Sequence, residues 1–178
     1  MIGMEETGRD IYTIRLARPA ELHLLAAIEV DAFWALHDAG AVACEPTSLP
    51  IDVLRQSLET DMLFVAADAL DQPFGFLAGI AMADLVHIAE IDVIRHWQKK
   101  GVGRRLMQAA VETARARGAS GVMLTTDRHV PFNAPFYASL GFRILDDGER
   151  SAELSRILER EVEHGADPAR RVAMALWF

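Results

Sequence analysis

Residues 85–118 constrain the fold of this chain more than any other stretch. Leu85 to Ile94 is rich in Leu, Val and Ile and reads as a strand. From Gly101 to Arg117, the apolar positions Val102, Leu106, Ala109, Ala110 and Ala114 recur at helical spacing, and Gly118 supplies the stop. Between the two lies Gln98-Lys99-Lys100-Gly101-Val102-Gly103, so a glycine-bearing turn joins a strand directly to a helix. The front of a helix leaves backbone N–H groups unpaired at the positive end of the dipole. Glycine lets an anion approach that backbone closely. Lys99, Lys100, Arg104 and Arg105 add positive charge, and the combination suits a pyrophosphate. The turn is neither a dinucleotide fingerprint, because position 106 is leucine where a third glycine belongs, nor a P-loop, because no G-K-[ST] follows. A plain tight turn is the other reading of G-x-G taken alone.

Charge strengthens the contrast. The chain of 178 residues has a net charge of −8, which argues against general nucleic-acid binding. Yet residues 95–128 hold eight Lys/Arg against two acids, whereas residues 1–90 hold fifteen acids against four arginines. The only two lysines, Lys99 and Lys100, sit in the basic segment. A solvated charged helix or a site for a polyanion both satisfy this pattern.

The remaining pattern gives the order β-α-α-β-β-β-α-β-α-β-α-β. Strands are expected at 11–16, 62–67, 74–82, 85–94, 121–126, 142–145 and 171–178. Helices are expected from Arg18-Pro19, over 47–60 with Pro50 in its first turn, over 101–117, over 133–140 with Asn133 as N-cap and Gly141 just past its end, and over 151–163. Residues 39–46 read as a loop. This predicts one α/β (α+β) domain over 1–178. Its core is a single mixed, mostly antiparallel sheet of about seven strands flanked by helices. No apolar run approaches the roughly 20 residues that span a bilayer. The acidic, polar start is unlike a signal peptide, and a lone Cys44 allows no internal disulfide. A soluble, cytoplasmic protein is expected, with no membrane or nucleic-acid partner. The scattered histidines and single cysteine give no metal signal.

Three motifs in order resemble one family. Glu90-Ile91-Asp92-Val93, then Gln98 to Gly103 as Q/R-x-x-G-x-G/A, then Asn133-Ala134-Pro135-Phe136-Tyr137 followed by Gly141-Phe142, are similar to the GNAT N-acetyltransferases over residues 85–145. The resemblance implies the GNAT fold and acetyl-CoA as acyl donor. It implies an acceptor-side half at about 11–84, a coenzyme-binding core at 85–145, and a C-terminal helix and strand at 149–178. Residue by residue, it implies that the backbone amides of Gln98, Lys100, Gly101, Val102, Gly103 and Arg104 hold the coenzyme pyrophosphate, with Lys99 beside them among the coenzyme-binding residues. Asp92, Val93 and Ile94 would line the pantetheine arm, with the Val93 N–H polarising the thioester carbonyl. Asn133 and Phe136 would contact the coenzyme, with a helix cap as the plainer role for Asn133. Tyr137 would be the general acid and Glu90 the general base, with buried-aromatic and solvent-facing roles as their plain alternatives. His87 is a second candidate base, on the opposite face from Glu90 unless the strand carries a bulge.

The first two helices would wall an acceptor pocket with Glu29, Asp31, Phe33, Trp34, His37 and Asp38, and the acidic excess favours a cationic small amine. A nucleophilic role for Cys44 is disfavoured, since no histidine adjoins it. A protein or peptide N-terminal acetyltransferase, a non-catalytic acyl-CoA-binding module and an interaction protein on the same fold are the alternatives. The helical segment at 149–171 departs from the simplest family pattern; it could cover the sheet, wall the pocket or make a homodimer contact.

Overall fold

The computed structural model describes residues 12–40 and 48–178. Cys44 and the start of the helix expected at Thr47 lie outside these residues. Seven strands form one sheet: β1 (Thr13–Leu16), β2 (Leu63–Ala67), β3 (Pro73–Met82), β4 (Leu85–Val93), β5 (Gly121–Asp127), β6 (Arg143–Ile144) and β7 (Arg171–Trp177), in spatial order β1-β2-β3-β4-β5-β7-β6. Every neighbouring pair is antiparallel except β4 and β5, which run parallel. Five α-helices cover it: α1 (Leu22–Asp38), α2 (Ile51–Glu59), α3 (Val102–Ala116), α4 (Ala134–Ala138) and α5 (Ala152–Glu163). This is the mixed, mostly antiparallel sheet expected from the sequence. No described helix is long and apolar enough to cross a membrane.

The central strands read as apolar runs because both faces are covered. One face packs Leu77, Val86, Ile88, Val122, Leu124 and Met174 against Leu106 and Ala110 of α3 and Tyr137 of α4. The opposite face has two patches: Val65, Phe76 and Ala78 against Leu25 and Ile28 of α1 and Leu54 of α2, and Met123, Ala173 and Ala175 against Leu154 and Leu158 of α5. Consecutive residues such as Leu77 and Ala78 thus serve different layers, as a two-residue strand period requires.

Several local expectations are corrected. Pro50 precedes α2 as its N-cap instead of sitting in the first turn. A short 3-10 turn at Pro19–Glu21 comes before α1. Asn133 stands at the N-cap of α4, but its side chain makes no capping hydrogen bond, and the helix is five residues long. α5 starts as expected, with Ser151 accepting from the Leu154 N–H at 3.1 Å.

Two irregularities shape the sheet centre. Between β3 and β4, Ala78 lies opposite Glu90 and Gly79 opposite Ile88, so Ala89 is an extra residue in a β-bulge. The bulge resets the alternation and puts Glu90 on the same face as His87. Then β4 pairs with β5 only from Leu85 to His87, opposite Gly121 to Met123. Beyond that point the two parallel strands separate, and β5 stays paired with β7 along its length.

Candidate active site

The splay of β4 from β5 opens a cleft of about 920 Å³. Its walls are Ala89 to Val93 on one side and Thr125 and Thr126 on the other. Trp97 to Lys99 and Gly101 to Arg104 form one end, and Pro131 to Asn133 with Pro135 to Tyr137 form a further wall. Glu161 of α5 and Arg171 of β7 also line it.

Strand geometry decides which backbone groups face this cleft. The Ile94 N–H donates to the Phe74 carbonyl at 3.0 Å, so β3 consumes the hydrogen bonds at alternate residues. Val93, one residue earlier, therefore turns its own N–H and C=O toward the gap left by β5. The Gln98 side-chain amide donates to the Val93 carbonyl at 2.9 Å and ties the glycine turn back onto the strand. Ile94 does not line the cleft: its amide is spent on β3, and its side chain packs with both central core clusters.

The turn has the backbone that an anion site needs. Lys99 and Gly101 both have positive φ, +62° and +82°, and Gly101 is the left-handed N-cap of α3. The first helical bond to reach back to it comes from the Arg105 N–H, donated to the Gly101 carbonyl at 3.1 Å. The amides of Val102, Gly103 and Arg104 thus precede the regular ladder, and the first turn carries no acidic side chain. A Cβ at Gly103 would meet the Phe136 ring at 3.7 Å and the Ile91 Cδ1 at 3.9 Å, ordinary contact distances. The Lys100 side chain lies elsewhere. It is absent from the cleft wall, and its ammonium lies 4.8 Å from the centroid of the Trp97 ring. Arg104 donates to the Ser139 hydroxyl at 2.8 Å, linking α3 to the end of α4.

Tyr137 is buried, with 8% exposure, and its ring packs 5.2 Å from Phe136 and 5.9 Å from Phe142, centroid to centroid. Burial raises the phenol above its ordinary range, the charges of Glu90 and Asp92 raise it further, and Arg171 partly opposes them. Tyr137 therefore keeps its proton.

Opposite, Glu29, Glu90 and Asp92 bring carboxylate oxygens within 4.8 Å of one another. Glu29 comes from α1, where both its oxygens accept from the Leu49 N–H at 2.8 Å. Burial, then repulsion from Glu90, pushes Glu29 up to about 7. Burial also raises Glu90, against the Ile91 N–H and Arg171, and it raises Asp92 well above the usual carboxylate range with help from Glu90 and Glu29. Carboxylates this close share protons or a cation, and they titrate as a group. The sequence held no sign of this cluster, because its members are 61 and 2 residues apart and only α1 packing on the bulged strand unites them.

The other acceptor-side expectations divide. His87 is buried outside the cleft wall. Its Nε2 has no hydrogen-bond partner among the described residues, and burial, aided by Arg160, lowers it to about 4. Phe33 and Trp34 do not line the cleft; Trp34 is 39% exposed and stacks edge-on with Phe33 and His37. Ala32 of α1 and Ala39, just past its end, do line it, whereas Glu29 meets Glu90 and Asp92 without lining the cleft itself. Asp31 instead accepts from the Arg95 N–H at 2.7 Å and pins α1 to the turn after β4. Thr125, Thr126, Phe132, Glu161 and Arg171 line the cleft and had no distinguishing signal in the sequence.

Comparison with known proteins agrees with this architecture. Ard1 from Thermoplasma volcanium superposes with a TM-score of 0.66 at 19% identity, covering 93% of this chain and 97% of that one. The PaiA N-acetyltransferase of Thermoplasma acidophilum, solved in complex with coenzyme A, gives 0.62 at 16% identity, covering 94% and 99%. Naa50 of Arabidopsis thaliana, in complex with the bisubstrate analogue CoA-Ac-MVNAL, gives 0.64 at 12% identity, covering 94% and 99%. At these identities the likeness is one of fold. The sequence profile of the acetyltransferase (GNAT) family matches residues 30–142, from the middle of α1 to the end of the Tyr137 motif, and the chain belongs to that family.

Proposed function

We propose that this protein is an N-acetyltransferase that moves an acetyl group from acetyl-CoA to the primary amine of a cationic small molecule by direct attack. One observation carries the reading. A single cleft runs from the unpaired amides at the front of α3 to a protonated phenol and a carboxylate cluster. Acetyl-CoA supplies an activated thioester; everything else falls to the chain. The amides of Val102, Gly103 and Arg104, with Gln98 and Lys99 beside them, suit the pyrophosphate. The Val93 N–H, turned away from β3, suits the acyl oxygen, where negative charge develops. Asn133, with no capping bond to make, and Phe136 suit contacts to the arm of the coenzyme.

An ammonium cannot attack a carbonyl until it loses a proton. Glu90 accepts that proton, and its upward shift makes it a stronger base than an exposed glutamate. Asp92, on the cleft wall, with Glu29 buried behind it, attracts the incoming cation, which relieves the repulsion within the cluster. As the nitrogen bonds to the acyl carbon and the C–S bond breaks, Tyr137 donates its proton to the sulfur, and the second proton shed by the nitrogen restores the phenol. His87, buried outside the cleft, is left out of this scheme.

The test is turnover with acetyl-CoA over a panel of mono- and diamines, anionic amino acids and short peptides with free N-termini. Preference for cationic small amines is the expected result. Preference for anionic acceptors would exclude the acceptor class. Preference for the peptides would favour the N-terminal acetyltransferase reading, whose support is the fold likeness to Naa50 with its peptide-bearing analogue. Tight acetyl-CoA binding without turnover of any amine would leave a non-catalytic binding module.

A further inference from the structure

The segment between β6 and β7 contributes one polar group to the cleft, and that group is not solitary. Arg171, at the start of β7, donates from Nε to Glu161 Oε2 at 3.0 Å and from Nη2 to Thr125 Oγ1 at 3.0 Å, with Nη2 also 2.8 Å from Glu161 Oε1. The Thr125 hydroxyl in turn donates to Glu161 Oε1 at 2.6 Å. Glu161 from α5 takes the Nε edge and Thr125 from β5 meets Nη2, so the guanidinium is held by side chains from two elements. All three residues line the cleft together with Glu90 and Tyr137. α5 itself is anchored by Leu154 and Leu158 in the core against β5 and β7, which fixes Glu161 in turn.

The charges acting around Glu90 make this arrangement consequential. Glu29 reaches the cluster from α1, Asp92 lies on β4 itself, Tyr137 comes from α4, Glu161 from α5 and Arg171 from β7. Four of these five are acids or a phenol, and Arg171 is the one cation. Burial and crowding drive Glu90 toward its neutral form, which cannot accept a proton. We propose that Arg171 is the positioning residue of the acceptor end of the cleft: clamped by Glu161 and Thr125, it favours the carboxylate form of Glu90 against burial and crowding, and α5 is the wall that carries the clamp. The catalytic part of this inference rests on the reading of Glu90 as the base. The electrostatic part rests on the clamp, on the cleft that Arg171 and Glu90 share, and on the downward pull of Arg171 on Glu90.

The two parts are tested separately. Protein labelled with 13C at glutamate carboxyl carbons is titrated, and the Glu90 resonance is assigned by its loss in Glu90→Gln. Arg171→Gln is expected to raise the Glu90 midpoint by about one unit. Glu161→Gln is expected to lower it, because a like charge is removed while the cation stays. Arg171→Lys, which keeps charge but not the fork, is expected to stay closer to wild type than Arg171→Gln. The acid limb of kcat/KM for acetyl transfer to an amine that wild type turns over is expected to move with the same signs. Melting temperature serves as the folding control, because a purely structural loss would not move the two variants in opposite directions. An unmoved Glu90 midpoint in folded Arg171→Gln overturns the proposal. Where that variant does not fold, a Glu161→Gln midpoint that fails to fall overturns it. Shifted midpoints in a wild-type protein that acetylates nothing would uphold the coupling and sink the proposed reaction.

Discussion

Replacing Tyr137 with phenylalanine isolates the proton donor from the rest of the fold. The ring packs between Phe136 and Phe142 in the larger core, and Phe keeps every one of those contacts. Among the described residues none accepts a hydrogen bond from the hydroxyl, so its removal orphans no buried partner. Stability is therefore expected to change by less than about 0.5 kcal/mol. Turnover is a different matter. A positioned general acid contributes roughly 10²- to 10⁴-fold. A thiol of ordinary acidity, near about 8.5, leaves as thiolate without extreme difficulty, which puts the effect at the lower end. A loss of about 10²-fold in kcat is expected, or about 2.7 kcal/mol of barrier. Binding of acetyl-CoA, measured by calorimetry, is expected to change less than about threefold, because the ring remains to line the cleft. Steady-state kinetics with acetyl-CoA and the best amine of the panel reads the effect. A variant within twofold of wild type in kcat, at a pH where chemistry limits the rate, would refute the assignment of Tyr137 as acid.

Two further outcomes follow from the same geometry. Acetyl-CoA at about 100 times its Kd is expected to raise Tm of the wild type by roughly 5–10 °C. Gly103→Arg is expected to abolish that rise and Gly103→Ala to retain it, because a Cβ fits beside Phe136 and Ile91 whereas a long side chain fills the cleft; an undiminished rise in the arginine variant would show the coenzyme lies elsewhere. His87 is lowered to about 4 in the fold against about 6.5 unfolded, so the unfolded chain binds more protons between those values and stability falls as pH drops from 6.5 toward 4. His87→Leu is expected to remove up to about 3 kcal/mol of that acid-side loss relative to wild type, read from denaturant melts at pH 4.5 and 7; parallel losses in both proteins would refute it.

The local alphabet of this chain was readable wherever one segment suffices to define a feature. The helical stripe from Val102 to Ala114, the left-handed stop at Gly118 and the glycine turn ahead of α3 each depend on neighbours a few residues away, so spacing and residue type expressed them directly. The order of strands and helices followed, and with it the family. Asn133 shows the limit even at short range: its type suits a cap, yet its side chain makes none, because the chain enters α4 at φ −111° and ψ −114°. Pro50 was expected inside the first turn but is the N-cap of a helix that begins at Ile51, for the same reason: helix boundaries depend on backbone angles that residue type only biases.

The acceptor end was decided elsewhere. Glu29, Glu90 and Asp92 meet only because α1 lies across a strand whose bulge at Ala89 turns Glu90 to its side. The same bulge puts His87 on that face but leaves it beneath α5 instead of in the cleft. Phe33 and Trp34 were plausible pocket residues by helix position, and the rotation of α1 about its axis offered Ala32 instead. Thr125, Glu161 and Arg171 come from three elements and carry no motif; β7 inserting beside β5 makes them neighbours. The sequence by itself thus determined the elements, their order and the glycine turn ahead of α3, because those arise from interactions within a few residues. Only tertiary structure decided where β4 parts from β5 and which charges face one another there, because strand register and helix packing set distances between residues that the chain keeps far apart.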